Sequence, residues 1–343
     1  IKIGTVGPLT GDVASYGVST KNGVEIAVDE FNQAGGINGK PVRLVSEDTR
    51  GDQTETANAI SKLVERDNVT AVVGGVISAE TMTAGPIAND AKVVMISSSS
   101  TAVGVPEIGD YVFRNCLSDE VQAVQLVEYA VEELGLKKFA VMYENNDYGL
   151  SLKNAFEERA KELAEVTGIE TYNEGEKDFR SQLTKLKGKN PDALYIGGYY
   201  TEASKIAQQA KDQGLDVAIL GADGFYSPIL LELGGDAVEG SVFTAGFFTD
   251  DPSENAQRFV RAYTDKFNEE PDMFAAQAYD AAMILLTAIK NAGGVGGETH
   301  QREMLKIKDY PGITGSTSFT PVGDVVKDII ILKVENGKFT KIR

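Results

Sequence analysis

Residues 71–97 read AVVGGVISAETMTAGPIANDAKVVMIS, and no other stretch indicates the fold class as plainly. A short apolar run ends in Gly74-Gly75, a segment of helical composition follows, and a second apolar run covers Val93–Ile96. Both runs are continuously apolar rather than alternating, which is typical of parallel strands covered on both faces. The stretch therefore predicts a βαβ unit of an α/β protein.

The same alternation extends along most of the chain. Apolar strand candidates alternate with amphipathic stretches, and they lie at Lys2–Val6, Val42–Ser46, Ala71–Gly74, Val93–Ile96, Phe139–Tyr143, Ala193–Gly197, Val217–Gly221 and Ser241–Ala245. This order predicts doubly wound parallel sheets. After residue 250 the pattern changes to two helices, the second from Phe274 to about Ala292, and then to antiparallel strands over 316–319 and 325–334 with a hairpin at Asn336-Gly337.

A weak internal repeat divides the chain into two similar halves. Tyr195-Ile196-Gly197-Gly198 has the same order of strand, Gly-Gly, hydroxyl residue and helix as Val72-Val73-Gly74-Gly75. The repeat predicts two similar domains. Ligands of open α/β sheets bind beyond the carboxyl ends of the strands. If the domains face each other, the two Gly-Gly turns and the polar turns after Ile96 and Gly221 are expected to meet at one cleft.

Composition excludes several classes of function. The 343 residues include 33 Lys+Arg and 51 Asp+Glu, so the net charge is −18, which disfavours nucleic acid. The single histidine, His300, and the single cysteine, Cys116, cannot supply a multi-histidine metal site, a zinc ribbon or an internal disulfide. No apolar run is long enough to span a membrane. The chain opens on a strand-like segment, so we expect either a cytosolic protein or the removal of a signal segment.

Enzymatic motifs are weak or missing. Gly7-Pro8-Leu9-Thr10-Gly11 follows the first strand, but it is not Gly-x-Gly-x-x-Gly, and Asp48 is a poor match to the acidic residue of a dinucleotide site. No phosphate-binding Gly-x-x-x-x-Gly-Lys-Ser/Thr motif occurs. A dehydrogenase is therefore a minor alternative.

Polar residues at strand ends allow both structural and functional interpretations. Ser78 suits a helix N-cap first, and it also allows an anion site at a helix start. Asp223 suits a turn first, and it also allows a buried counter-ion for an ammonium group. The hydroxyl run 97–101 is either a polar turn or a set of ligand contacts. Aromatic residues at similar turns resemble the walls of a small-molecule site, and they are Tyr16, Tyr148, Tyr199, Tyr200, Phe225 and Tyr226.

A set of motifs extends over essentially the whole chain, and its members are Gly7-Pro8-Leu9-Thr10-Gly11, Tyr16-Gly17, residues 34–41 (AGGINGKP), Asp147-Tyr148-Gly149, Lys177-Asp178-Phe179 and Ala278-Tyr279-Asp280-Ala281. In these motifs the chain resembles the branched-chain amino-acid (leucine/isoleucine/valine) binding proteins of ABC importers. The resemblance implies a type I periplasmic-binding-protein fold, with two Rossmann-like lobes joined by three crossovers and a ligand cleft between them. We expect lobes of 1–118 plus 249–324 and of 119–248 plus 325–343.

The resemblance also implies a ligand site, position by position. Ser78 would hold the α-carboxylate with its hydroxyl and amide, and Thr101 would add a hydroxyl and an amide. Ser99 would offer its carbonyl to the ammonium, and Asp223 would be the counter-ion of that ammonium, next to Tyr199. The other positions form the side-chain pocket, and they are Tyr16, Tyr148 and Phe274, with Tyr200 and Phe225 as further candidates. The well-known leucine binders have Glu at the position of Asp223, so the shorter side chain is a departure.

The function implied is non-enzymatic capture of a free amino acid, aliphatic or otherwise apolar, by hinge closure and its delivery to a membrane permease. No cofactor or metal is expected. The protein is expected to act as a monomer in the periplasm or outside the cell, with or without a lipid anchor. The alternative is a ligand-sensing regulator with the same two-lobed fold.

Overall fold

The computed structural model describes residues 1–294 and 296–343, and these residues form two units. The first unit contains Ile1–Leu117 and Gly246–Asp328, and the second contains Ser118–Ala245 and Ile329–Arg343. The chain therefore passes from one unit to the other at three places.

Secondary structure covers most of both units. The described residues form the strands β1 (Lys2–Gly7), β2 (Arg43–Asp48), β3 (Ala71–Gly74), β4 (Val94–Ser97), β5 (Val112–Arg114), β6 (Lys138–Glu144), β7 (Glu165–Tyr172), β8 (Ala193–Gly197), β9 (Ala218–Gly221), β10 (Val242–Ala245), β11 (Tyr310–Gly312), β12 (Gly315–Thr317), β13 (Ile330–Glu335) and β14 (Lys338–Lys341). The helices are α1 (Ala14–Gln33), α2 (Gln53–Ser61), α3 (Ser78–Asp90), α4 (Asp119–Glu132), α5 (Asp147–Leu163), α6 (Arg180–Lys187), α7 (Tyr200–Asp212), α8 (Pro228–Gly234), α9 (Glu254–Phe267), α10 (Met273–Asn291) and α11 (Glu298–Leu305).

The sheet of the first unit has five parallel strands in the order β2-β1-β3-β4-β5. The central strands β1, β3 and β4 are almost entirely buried, as their continuous apolar runs predicted. The core beneath them includes Val6, Leu63, Val72 and Met95, each fully buried. A separate two-stranded antiparallel ribbon pairs β11 with β12.

The sheet of the second unit repeats this order and extends it. Strands β7-β6-β8-β9-β10 are parallel, and β13 and β14 add two antiparallel strands next to β10. The β13–β14 turn is the predicted hairpin, since Asn336 and Gly337 both have positive φ angles, of 54° and 69°. Phe156 packs on Tyr195 with ring centroids 3.9 Å apart, which joins α5 to the sheet.

Both parallel sheets therefore have the strand order 2-1-3-4-5, which confirms the α/β fold class and the doubly wound prediction. The strand order reverses between β1 and β3 in the first unit and between β6 and β8 in the second. The carboxyl ends of strands at such a reversal are the usual ligand sites of this architecture.

Several details of the strand prediction were wrong. Strands β5, β7 and β11 were missed, and the last antiparallel run begins at Ile330 rather than at Val325. Val325 forms only an isolated bridge with Phe319. Segment 326–329 contains two charged residues, and it lies at the third passage between units.

Candidate functional site

The start of α1 and the start of α10 bring two aromatic rings together in the first unit. Helix α1 passes so close to the preceding turn that a Cβ at Gly17 would lie 2.0 Å from the carbonyl oxygen of Pro8, so only glycine fits. The neighbouring Tyr16 is buried and stacks on Phe274, with ring centroids 4.1 Å apart and an interplanar angle of 25°. Two predicted pocket residues thus form one aromatic wall.

Ser78 is the first residue of α3, because the N-cap is Ile77. The N-cap interpretation of Ser78 was therefore wrong. Its Oγ accepts the backbone N–H of Ala102 at 3.2 Å, on the segment that follows β4. Since the oxygen accepts this bond, the hydroxyl hydrogen is available to donate to an anion.

Three serines of the hydroxyl run 97–101 donate hydrogen bonds to the turn that contains Gly74-Gly75. The hydroxyls of Ser97 and Ser100 donate to the carbonyl oxygen of Gly75 at 2.7 and 3.1 Å, and Ser99 Oγ donates to the carbonyl of Val76 at 2.7 Å. These side chains bind the protein itself. The N–H of Ser99 also donates to Oγ of Ser97, at 3.4 Å, and the carbonyl of Ser99 is the group that the resemblance assigns to a ligand ammonium.

Thr101 differs from the serines before it. The residue is 1% exposed, and its Oγ1 has no hydrogen-bond partner among the residues that the structure describes. A buried hydroxyl without a partner is destabilising unless another molecule supplies the hydrogen bond. Thr101 therefore indicates a place where a polar ligand group would bind.

Glu80 positions the Gly-Gly turn of the first unit. One carboxylate oxygen accepts the N–H groups of Val76 and Ile77 at 2.8 and 3.2 Å, and the other accepts the hydroxyl of Thr49. Burial raises the pKa of Glu80 to about 7. Glu80 was not among the predicted site residues, although it lies two residues after Ser78 at the start of a helix.

Two tyrosines stack on each other in the second unit. Tyr148 is the second residue of α5, and the side chain of the cap residue Asn146 accepts the N–H of Gly149 at 2.8 Å. Tyr199 is the N-cap of α7. The two rings are nearly parallel, with centroids 5.0 Å apart and an interplanar angle of 7°. They lie at the carboxyl ends of β6 and β8, where the strand order reverses.

Asp223 follows β9 and is 5% exposed. The hydroxyl of Tyr148 donates to its Oδ1 at 2.7 Å, and that hydroxyl accepts the N–H of Gly224 at 3.0 Å. The N–H of Asp223 donates to Oε1 of Gln122 at 3.3 Å, and Thr244 donates to the same oxygen at 2.6 Å. Burial raises the pKa of Asp223 to about 6, although the hydrogen bonds from Tyr148 and Gln122 oppose that rise. All these donors are neutral.

Two predicted pocket residues have different surroundings. Tyr200 is the buried first residue of α7, and its carbonyl accepts the hydroxyl of Ser204 at 2.6 Å. Phe225 is fully buried beneath the end of β9, where its ring lies against Gly221 and 6.0 Å from the ring of Phe243. Phe225 therefore packs in the core of the second unit.

Further residues support the second-unit site without having been predicted. Gln122 on α4 orients Asp223 by accepting its N–H. Glu144 at the end of β6 accepts the side-chain amide of the cap residue Asn146 at 2.9 Å. Burial, together with the nearby Glu202 and Glu174, raises the pKa of Glu144 to about 8. The sequence signal for Glu144 was its place at a strand end, whereas Gln122 lies within a helix far from any turn.

Asp48 is the acidic residue that was compared with a dinucleotide site, and its carboxylate is hydrogen-bonded within the first unit. Its carboxylate accepts the N–H groups of Leu9, Thr10 and Arg50 at 2.8, 3.2 and 2.9 Å and the hydroxyl of Thr10 at 2.6 Å. These hydrogen bonds lower its pKa despite partial burial. Asp48 therefore orders the turn after β1.

Across 1–294 and 296–343, no three His, Cys, Asp or Glu side chains form a group able to hold a metal ion. No helix in that part of the chain is long and apolar enough to cross a bilayer.

Comparisons with known proteins cover almost the whole chain. The family model described as periplasmic binding protein matches residues 1–338. The Leu/Ile/Val-binding protein BraC3 of Rhizobium johnstonii is 32% identical over 344 residues, which cover 98% of this chain and 92% of that protein. The solved leucine binding protein LivK of Thermotoga maritima superposes with a TM-score of 0.95 at 34% identity, covering 100% of this chain and 98% of that one.

A second solved structure is the branched-chain amino acid transporter substrate binding protein LivJ of Streptococcus pneumoniae, in complex with isoleucine. It is 36% identical, covers 99% of both chains and has a TM-score of 0.93. The chain thus belongs to the periplasmic binding protein family and has its type I fold of two α/β lobes.

Proposed function

We propose that this chain is the extracytoplasmic solute-binding protein of an ABC importer and that it captures a free amino acid with an apolar side chain. The observation on which this rests most is Asp223, a buried carboxylate whose hydrogen-bond donors are all neutral. A buried carboxylate is stabilised by a cationic partner, and the α-ammonium group of an amino acid is such a partner.

The α-carboxylate of the same ligand would bind to the first unit. The free hydrogen of Ser78, the unpartnered hydroxyl of Thr101 and the N–H at the start of α3 are donors of the kind that a carboxylate needs. The carbonyl of Ser99 would accept a hydrogen bond from the ammonium. Two opposite charges would thus be matched by two separate groups of residues, which is the requirement for binding a zwitterion.

The side chain of the ligand would lie among the aromatic rings. Tyr16 and Phe274 form one stacked pair, and Tyr148 and Tyr199 form the other. We propose that these rings form the walls of the side-chain pocket and that Tyr200 adds to them, whereas Phe225 supports the site from the core. Aromatic walls with few polar groups favour an apolar ligand side chain.

The names of the relatives support this class of ligand. The matched proteins are a Leu/Ile/Val-binding protein, a leucine binding protein and a transporter protein in complex with isoleucine. They are 32–36% identical to this chain over nearly its whole length, and we propose that it shares their class of ligand. These relatives are substrate-binding proteins, and we propose that this chain likewise catalyses no reaction.

We further propose that the two units, Ile1–Leu117 plus Gly246–Asp328 and Ser118–Ala245 plus Ile329–Arg343, are the lobes that close on the ligand by hinge motion. The ligand would favour the closed state because Tyr199 and Asp223 can contact it only there, which is a population shift. The closed protein, a periplasmic or extracellular monomer, would then dock on a membrane permease.

A thermal-shift panel of the twenty amino acids tests this function. A ligand that binds only the native state raises the melting temperature, so we expect leucine, isoleucine or valine to raise it most. Arginine and aspartate are controls with charged side chains, which aromatic walls with few polar groups disfavour, and NAD is the control for the dehydrogenase alternative. A shift with NAD and with none of the amino acids would overturn the proposal and restore the dehydrogenase alternative.

A further inference from the structure

Arg114, at the end of β5, is a buried cation directly behind the first-unit site. The residue is 2% exposed. Its Nε and Nη2 donate to the two carboxylate oxygens of Asp324 at 2.6 and 2.7 Å. Its Nη1 donates to two successive backbone carbonyls, those of Thr101 and Ala102, at 3.0 Å each. The guanidinium therefore holds the segment after β4 from the side opposite to Ser78.

One peptide group joins Arg114 to Ser78. The carbonyl of Thr101 and the N–H of Ala102 belong to the same peptide unit. The carbonyl accepts from Arg114, and the N–H donates to Oγ of Ser78 at 3.2 Å. The hydrogen bonds form one chain, from the guanidinium through a single peptide to the serine hydroxyl.

The direction of this series of hydrogen bonds has an electrostatic consequence. A hydrogen bond from a cation to a carbonyl is stronger than one between neutral groups, and it polarises the peptide so that its N–H becomes a better donor. Ser78 Oγ, which accepts that N–H, in turn becomes a better donor through its own hydrogen. The hydroxyl hydrogen of Ser78, at the end of this series of hydrogen bonds, is thus suited to bind an anion.

We propose that Arg114 is a positioning residue for carboxylate binding, which acts on the ligand through the peptide 101–102 and the hydroxyl of Ser78. The inference rests on the proposed function, since the anion is the α-carboxylate of the amino acid. Arg114 itself does not contact the ligand, and Asp324 fixes the orientation of its guanidinium.

A double-mutant cycle tests this role. Leucine affinity is measured by calorimetry for four proteins, which are the wild type, Arg114→Met, Ser78→Ala and the double variant. Arg114→Met is expected to weaken binding about tenfold in the wild-type background. In the Ser78→Ala background it is expected to have almost no effect, because residues in one hydrogen-bond chain are not additive. Arg114→Lys, which retains the charge but not the four hydrogen bonds, is expected to recover part of the loss.

A second cycle is the matched control. Arg114→Met combined with Tyr148→Phe is expected to give additive losses, because Tyr148 supports Asp223 in the other unit and serves the ammonium end of the ligand. If Arg114 had only a structural role, Arg114→Met would lower the melting temperature and would weaken leucine binding by the same factor in the wild-type, Ser78→Ala and Tyr148→Phe backgrounds. That result would overturn the inference. If Arg114→Met does not fold, Arg114→Lys replaces it in both cycles, and the same criterion applies.

The wild-type titration separates the two proposals. A wild type that binds no amino acid overturns the proposed function, and the assignment of Arg114 to carboxylate binding is overturned with it. A wild type that binds leucine, with additive losses in the Ser78 cycle, overturns only the role of Arg114.

Discussion

Asp223→Asn is expected to weaken leucine binding at neutral pH by about 2–5 kcal/mol, or from about 30-fold to several thousand-fold. Asparagine has the same shape, but it leaves the ligand ammonium buried without a counter-ion. Asp216→Asn is the matched control: Asp216 is exposed and lies just before β9, at the opposite end of the strand that Asp223 follows. The affinity of that control should equal the wild-type affinity.

The pH profile of the Asp223→Asn variant adds an independent readout. The pKa of Asp223 is raised to about 6, so the carboxylate is ionised above pH 6 and protonated below it. Only the ionised form can pair with an ammonium group. Wild-type affinity should therefore fall by up to about tenfold per pH unit below pH 6, whereas the substituted asparagine does not titrate and the profile of the variant should be flat there. Equal profiles of wild type and variant would contradict the role of Asp223 as counter-ion.

Thr101→Val is expected to change stability and affinity in opposite directions. Valine has the shape of threonine, and the hydroxyl that it removes is buried without a partner in the described part of the chain. The melting temperature of the ligand-free protein should therefore stay the same or rise. Leucine affinity should fall about tenfold or more, because a hydrogen bond to a charged carboxylate is lost.

Thr83→Val is the control for that substitution. Thr83 lies on α3, and its hydroxyl donates to the carbonyl of Ala79 within the same helix at 2.8 Å. Leucine affinity should not change in this variant. If Thr101→Val lowered the melting temperature by several degrees and left leucine affinity intact, the hydroxyl would be structural and the carboxylate site would lie elsewhere.

The sequence predicted most of the fold because the parallel strands are buried on both faces. Strands such as β3 and β8 are uninterrupted apolar runs next to glycine pairs, and nothing else in the chain has that pattern. Strand β7 was missed for the opposite reason. It is the edge strand of its sheet, it alternates polar and apolar residues, and most of it is partly exposed. Strand β5 has only three residues, too few for a periodic pattern.

The proposed site residues could be picked out in the sequence where polar residues come shortly after a strand. Ser78, Thr101 and Asp223 lie four, four and two residues after the ends of β3, β4 and β9, because the turns of this fold lie at the carboxyl edge of the parallel sheet. The supporting residues could not be predicted in this way. Gln122 comes from the middle of a helix, and Arg114 contacts Asp324, which is 210 positions later in the chain. Such partners are determined by tertiary packing, and the spacing of residues in the sequence does not predict them.

Calorimetric titration of the wild type with leucine and with two analogues that each lack one charged group tests most directly whether the protein recognises an amino-acid zwitterion. The analogues are 4-methyl-2-oxopentanoate, which lacks the ammonium, and 3-methylbutylamine, which lacks the carboxylate. We expect leucine to bind and each analogue to bind at least about a hundredfold more weakly, since each leaves one group of buried polar residues without its partner. Binding of the oxo acid as tightly as leucine would contradict the assignment of Asp223, and with it the proposal that the ligand is a free amino acid.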